Sequence, residues 1–166
     1  MYFVTICTQG RQDILGEMAD ALFQPSKSGA IVRECWYELP YHYAGLELDT
    51  FVVMPNHVHG IVVLRNFVGA GLKPALAKAR RTTLAEVVRA FKTFSGRKIN
   101  ELANTTGSPV WQRGYYEHIV RSEKSLREIR QYITDNPRNW SVDPENPAAV
   151  KSEEGGFETR SYERDT

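Results

Sequence analysis

Two histidines separated by one residue, in the run Met54-Pro55-Asn56-His57-Val58-His59-Gly60, are the side chains of this 166-residue sequence best placed by type and spacing to do chemistry. The apolar run Ile61-Val62-Val63-Leu64 follows at once, so the pair is expected to open a buried β-strand. Residues i and i+2 of a strand share a face, which puts both imidazoles on one surface, where they can chelate a single metal ion. Tyr132 and Asn136 lie four residues apart near the end of an amphipathic segment, hence on one helix face about one turn apart, with Glu128 completing the stripe. Two imidazoles, an amide oxygen and a phenol are together what metal-assisted attack of a tyrosine on a phosphodiester requires. Singly, each has an ordinary structural role. A histidine in a half-buried strand is usually a hydrogen-bonded core residue, a tyrosine beside an apolar stripe packs, and an asparagine before proline ends a helix.

Periodicity along the chain indicates the strands and helices on which these groups lie. Residues 2–8 (Tyr-Phe-Val-Thr-Ile-Cys-Thr) are β-branched and aromatic and read as a first strand. Residues 28–38 carry Ile31, Val32, Cys35 and Trp36 at helical spacing, predicting a helix that closes near Pro40. Strands are predicted at 46–54 and 57–64, joined so tightly at Pro55-Asn56 that they must be antiparallel. A basic loop spans 65–81. Thr83-Leu84-Ala85-Glu86 has the form of a capping box opening a long helix with Leu84, Val87, Val88, Phe91 and Phe94 on one side. A fourth strand is predicted over 110–121, and a last helix over 122–136 with Leu126, Ile129 and Ile133 buried, ended by Pro137. The order β-α-β-β-α-β-α predicts an α+β fold: a ferredoxin-like antiparallel sheet with helices on one face, plus a C-terminal helix that carries Tyr132.

Length and a hydrophobic content of 42% fit one domain with a real core. It is expected to span residues 1–140, followed by a flexible acidic tail at 141–166 in which seven acids face three bases. No apolar run is long enough for a membrane span and no secretory leader is visible, so a soluble, cytoplasmic protein is expected. Cys7 and Cys35 lack the spacing of a zinc site or disulfide framework and read as reduced core residues. Formal net charge is only +1, yet residues 65–98 hold nine bases against the single acid Glu86. That excess is a candidate footprint for a polyanion, with a solvated helix face as the competing reading. Arg89, Lys92, Arg97 and Arg113 are candidate phosphate contacts, and Trp111, Tyr115 and Tyr116 candidate stacking platforms for unpaired bases. A place in the core is the competing role for each aromatic. His118 is a candidate DNA contact, proton shuttle or structural residue.

The segments 2–8, 53–60 (Val-Met-Pro-Asn-His-Val-His-Gly), 88–94 (Val-Arg-Ala-Phe-Lys-Thr-Phe), 111–121 (Trp-Gln-Arg-Gly-Tyr-Tyr-Glu-His-Ile-Val-Arg) and 132–137 (Tyr-Ile-Thr-Asp-Asn-Pro), taken in this order, resemble the REP-associated tyrosine transposases. These are a branch of the HUH single-strand transposases with one catalytic tyrosine. The resemblance implies that His57 and His59 are metal ligands, that Tyr132 is the nucleophile, and that Asn136 stands where relatives have a glutamine ligand. It implies a divalent ion, Mg2+ or Mn2+, no nucleotide cofactor, and single-stranded DNA with a hairpin as partner, bound by a monomer or homodimer. The implied reaction is nicking and strand transfer through a 5′-phosphotyrosine link. Two other readings compete: a non-cleaving, domesticated nucleic-acid binder, and a small hydrolase whose histidines hold zinc.

Overall fold

The computed structural model describes residues 1–19, 22–65 and 82–149. Its centre is the pair β1 (Tyr2–Cys7) and β5 (His57–Leu64), where β-branched and aromatic side chains crowd the sequence. With β4 (Leu46–Val53) and β6 (Tyr116–Ile119) they form a four-stranded antiparallel sheet in the order β4-β5-β1-β6. The register sets Thr5 opposite His59 and Cys7 opposite His57. Alternation then sorts the side chains: Val4, Ile6, Val58 and Val62 take one face, and Phe3 and Ile61 the other.

The first face is covered by α1 (Lys27–His42) and α2 (Leu84–Ala103), which bury Val32, Trp36, Leu39, Val87, Val88 and Phe91 against it. The capping box expected at Thr83 is present, with Glu86 reaching back to the Thr83 backbone. The second face is covered by α3 (Glu123–Asp135), whose Leu126 and Ile133 pack on Phe3 and Ile61. This is the expected ferredoxin-like α+β architecture, with the added helix laid on the face opposite α1 and α2. Gly60 links the two faces. A Cβ there would collide with the rings of Trp36 and Phe51, which stack on each other with centroids 4.5 Å apart on the α1 and α2 side of the sheet.

Four features depart from the sequence reading. A small hairpin, β2 (Gly16–Ala19) with β3 (Leu22–Pro25), precedes α1; strands of four residues are too short to show a period. Helix α1 runs through Pro40 to His42, since a proline in the last turn removes only one hydrogen bond. The strand expected over 110–121 shrinks to Tyr116–Ile119 plus an isolated bridge from Trp111 to Thr8, and between the two Lys92 Nζ takes the carbonyls of Gln112 at 2.8 Å and Gly114 at 2.7 Å. The folded unit also continues past residue 140. Trp140–Val142 form a 3-10 turn, and Asp143 and Glu145 behind it are buried, although both fall in the segment expected to be tail. Residues 66–81 of the basic loop and 150–166 of the acidic tail lie outside the described residues. Among the described residues no helix is long and apolar enough to cross a membrane.

Candidate active site

His57 and His59 share the α3 face of β5, as their spacing requires, and both are buried. Their Nε2 atoms converge to 3.0 Å. Each Nδ1 points away from that meeting point and is held there. His57 Nδ1 lies 2.9 Å from Asn56 Oδ1, and His59 Nδ1 lies 2.8 Å from Thr5 Oγ1. Burial, with the nearby Arg11 charge, pushes the His57 imidazole down to about 3, and burial together with His57 holds His59 well below its ordinary value. Both rings are therefore neutral at physiological pH, the form that ligates metals.

A third group completes the cluster. Asp143 brings a carboxylate oxygen among the histidine nitrogens, all within 4.8 Å of one another. Burial raises its carboxyl above the usual range, against the opposing hydrogen bonds from the Glu145 backbone N–H at 2.7 Å and from Asn136 Nδ2 at 2.6 Å. Asn136, which the sequence places as a ligand, thus spends its amide nitrogen on Asp143. Its oxygen, Oδ1, is buried, has no hydrogen-bond donor among the described residues, and lies close enough to His57 to favour the charged imidazole. An orphaned acceptor, a buried carboxylate and two convergent imidazole nitrogens form a donor set suited to a divalent ion. Nitrogens 3.0 Å apart match neighbouring ligands each about 2.1 Å from one ion.

The C-terminal segment is pinned over this set. Asn56 Nδ2 donates to the carbonyl of Glu145 at 2.9 Å, Arg11 pairs with the Glu145 carboxylate at 2.8 Å, and the Trp140 ring stacks against His57 with centroids 6.0 Å apart. Sequence reasoning missed Asp143. The acid sits in a polar stretch far from the histidines, and no periodicity ties it to them.

Tyr132 stands on α3 with its hydroxyl 3.4 Å from His59 Nε2. Its ring packs on His59 and, edge-on, on Phe3, with centroids at 5.2 and 6.1 Å. Burial, then the charges of Asp143 and Glu145, raise the phenol above its ordinary value, so the hydroxyl keeps its proton in the resting site. The residue as a whole remains 43% exposed, so Tyr132 stands at the edge of the buried histidine pair rather than inside it.

The candidate DNA contacts scatter. Arg89, Arg97 and Arg113 are exposed, Arg97 beside Glu101. Lys92 is instead half-buried: its ammonium caps carbonyls of the 112–114 segment, lies 5.8 Å from the Tyr115 ring centroid, and is lowered by burial to about 8. Trp111 is a core residue, with Nε1 donating to Ser95 Oγ at 3.0 Å and its ring against Phe91. Tyr115 packs with the core under α1 and α2. Tyr116 lies on the Tyr132 side, edge-on to Phe3, and His118 pairs with Phe3 across the sheet and is exposed. Of the eight, Tyr116 and His118 thus share the sheet face of the histidine pair. Lys73, Lys78, Arg80 and Arg81 of the basic segment lie outside the described residues.

No known family model matches the chain. An uncharacterized protein of Haemophilus influenzae is 35% identical over 153 residues, an alignment spanning 86% of this chain and 82% of that protein. Among solved structures, that of a REP-associated tyrosine transposase bound to a REP hairpin is similar with a TM-score of 0.61 at 16% identity, covering 99% of this chain and 92% of that one. At that identity the likeness is one of fold.

Proposed function

We propose that this chain, which belongs to the same family as the Haemophilus influenzae protein, is a metal-dependent endonuclease and strand transferase that acts on single-stranded DNA at hairpin-forming repeats, with Tyr132 as nucleophile. The observation that carries the reading is the meeting of the Tyr132 hydroxyl, at 3.4 Å, with the nitrogen of a buried histidine pair that also faces Asp143. The likeness of fold to a transposase bound to a REP hairpin supports the choice of DNA hairpins as substrate.

His57, His59 and Asp143 would hold the ion, with Asn136 Oδ1 as a further donor; Mg2+ or Mn2+ suits a site of mixed nitrogen and oxygen ligands that must accept phosphate oxygen. When bound, such an ion supplies Lewis-acid stabilisation of charge on the scissile phosphate. The chain's own residues do the rest. Tyr132 is held by its ring contacts to Phe3 and His59 so that the oxygen, not the ring, moves onto phosphorus. Attack forms a bond from the phenolic oxygen to phosphorus and breaks the bond to the 3′ oxygen, leaving a 5′-phosphotyrosine and a free 3′-hydroxyl. The phenol proton passes to water and the departing 3′ oxygen takes one up from water, so the exchange is neutral in protons overall. Because phosphodiester is exchanged for phosphodiester, the same step in reverse rejoins the end to another strand. The exposed Arg89, Arg97 and Arg113 are offered as phosphate contacts, and Tyr116 and His118 as contacts to the strand entering the site.

The test is covalent capture. Labelled single strands carrying a hairpin and an unpaired flank, incubated with the chain and Mn2+, should give a labelled protein band on a denaturing gel. Tyr132→Phe should abolish that band while DNA binding survives. Labelling of the Tyr132→Phe protein would transfer the role to Tyr115 or Tyr116. Tight hairpin binding with no adduct from the unaltered chain would leave a non-cleaving binder.

A further inference from the structure

The two imidazoles are oriented by partners of different kinds. Asn56 is buried and its amide is fully committed: Nδ2 donates to the carbonyls of Arg11 at 3.3 Å and Glu145 at 2.9 Å, which leaves Oδ1 against His57 Nδ1. Turning the amide over would set its oxygen against two carbonyls, so Oδ1 can only accept and the His57 proton must sit on Nδ1. His57 Nε2 therefore carries a lone pair. His59 Nε2 stands 3.0 Å from it, a contact that two lone pairs cannot make without an ion between them. In the metal-free chain His59 must then carry its proton on Nε2 and present Nδ1 as an acceptor. Thr5 Oγ1, 2.8 Å from that Nδ1, is a hydroxyl and can donate or accept by turning about one bond.

We propose that Asn56 and Thr5 are positioning residues that hold the two histidines in opposite tautomers. Asn56 fixes His57 permanently in the ligating form, whereas Thr5 lets His59 exchange tautomers when a cation enters. In that exchange one proton leaves His59 Nε2 for water, one is taken up from water at Nδ1, and the Thr5 hydroxyl turns from donor to acceptor; the histidine pair neither gains nor loses a proton overall. The inference rests on the metal-centre part of the function proposed above and is independent of whether DNA is cut. The asymmetry places the adjustable ligand beside Tyr132, whose hydroxyl faces the same His59 nitrogen. Outer partners of this kind typically carry a 10–100-fold effect on metal affinity.

The experiment uses the full chain with 15N-labelled histidine, chelator-treated, read by ring 1H–15N correlations. His42→Gln and His118→Gln identify the other two histidines. The expected result is His57 protonated on Nδ1 and His59 on Nε2; Zn2+, a diamagnetic probe, should move the His59 proton to Nδ1 and leave His57 unchanged. Thr5→Val suits a strand and keeps the fold, and its affinity for Mn2+ should fall about 10–100-fold, with Thr5→Ser restoring it. The proposal is overturned if both metal-free histidines share one tautomer, if His57 carries its proton on Nε2, if the unaltered chain binds neither ion, or if Thr5→Val binds Mn2+ as tightly as the unaltered chain. A chain that meets every expectation here yet never forms a DNA adduct would refute the nuclease reading alone.

Discussion

Replacing Asp143 by asparagine separates two roles that the carboxylate combines: a clamp for the C-terminal segment and a charge aimed at the histidine pair. As a clamp it accepts from Asn136 Nδ2 at 2.6 Å and from the Glu145 backbone N–H at 2.7 Å. Asparagine offers one acceptor in place of two, so one hydrogen bond to a charged group is lost, worth roughly 1.5–3 kcal/mol. Removing a buried charge offsets part of that loss, since burial already disfavours the ionised carboxyl. A net cost of about 1–2 kcal/mol should lower the Tm by roughly 2–8 °C for a domain of this size. The ligand role shows in a difference of differences. Mn2+ at about 100 times its Kd should stabilise the unaltered chain by about 2.7 kcal/mol, which is some 5–10 °C. If Asp143→Asn weakens the site about 100-fold, the same Mn2+ concentration supplies only about 0.4 kcal/mol, a shift of about 1 °C. Thermal unfolding of both proteins with chelator and with Mn2+ reads all four values. An equal Mn2+-induced shift in both would refute the assignment of Asp143 as a ligand and leave it as a clamp.

Lys92→Met removes the ammonium that caps the Gln112 and Gly114 carbonyls, so stability should fall by about 1–3 kcal/mol in urea unfolding, with DNA affinity changing far less than for Arg89→Ala. Gly60→Ala drives a methyl into Trp36 and Phe51 and should cost about 1–3 kcal/mol, read in the same way; an unchanged midpoint would mean that the stacked rings are free to shift. Asp49, which accepts from Arg130 at 2.9 and 2.6 Å, is held down to about 2 chiefly by that guanidinium. Its folded value lies below its unfolded one, so its contribution is complete above about pH 4 and is lost as pH falls from there toward 2. Asp49→Asn should flatten that part of the stability profile at low salt. Added salt should shrink the difference, because the Arg130 guanidinium is exposed and Asp49 is only partly buried.

What could be read from the sequence is what short-range geometry controls. The spacing of His57 and His59 places both on one side of β5 wherever the strand lies. The apolar stripe of α3 sets where Tyr132 falls, and the box at Thr83 starts α2 where its side chains dictate. The basic segment and the aromatic residues of 110–121 were less legible, because charge and aromaticity suit a nucleic-acid surface and a core equally well. Trp111 was drawn inward by Ser95 and Phe91, and Lys92 by backbone carbonyls.

Periods of two and of 3.6 residues report which way neighbouring side chains point, so the ferredoxin-like order of elements and the shared facing of the histidine pair are written along the chain. What meets them is set by packing between distant segments. Asp143 reaches His57 and His59 because the chain beyond α3 turns back at Trp140 and is pinned through Glu145 by Arg11 and Asn56. Asn136 is turned toward that acid, and Tyr132 comes to the nitrogen of His59 because α3 packs on Phe3 and Ile61. Such contacts join residues distant along the chain, and the free energy that selects them belongs to the packed core, which no local pattern records.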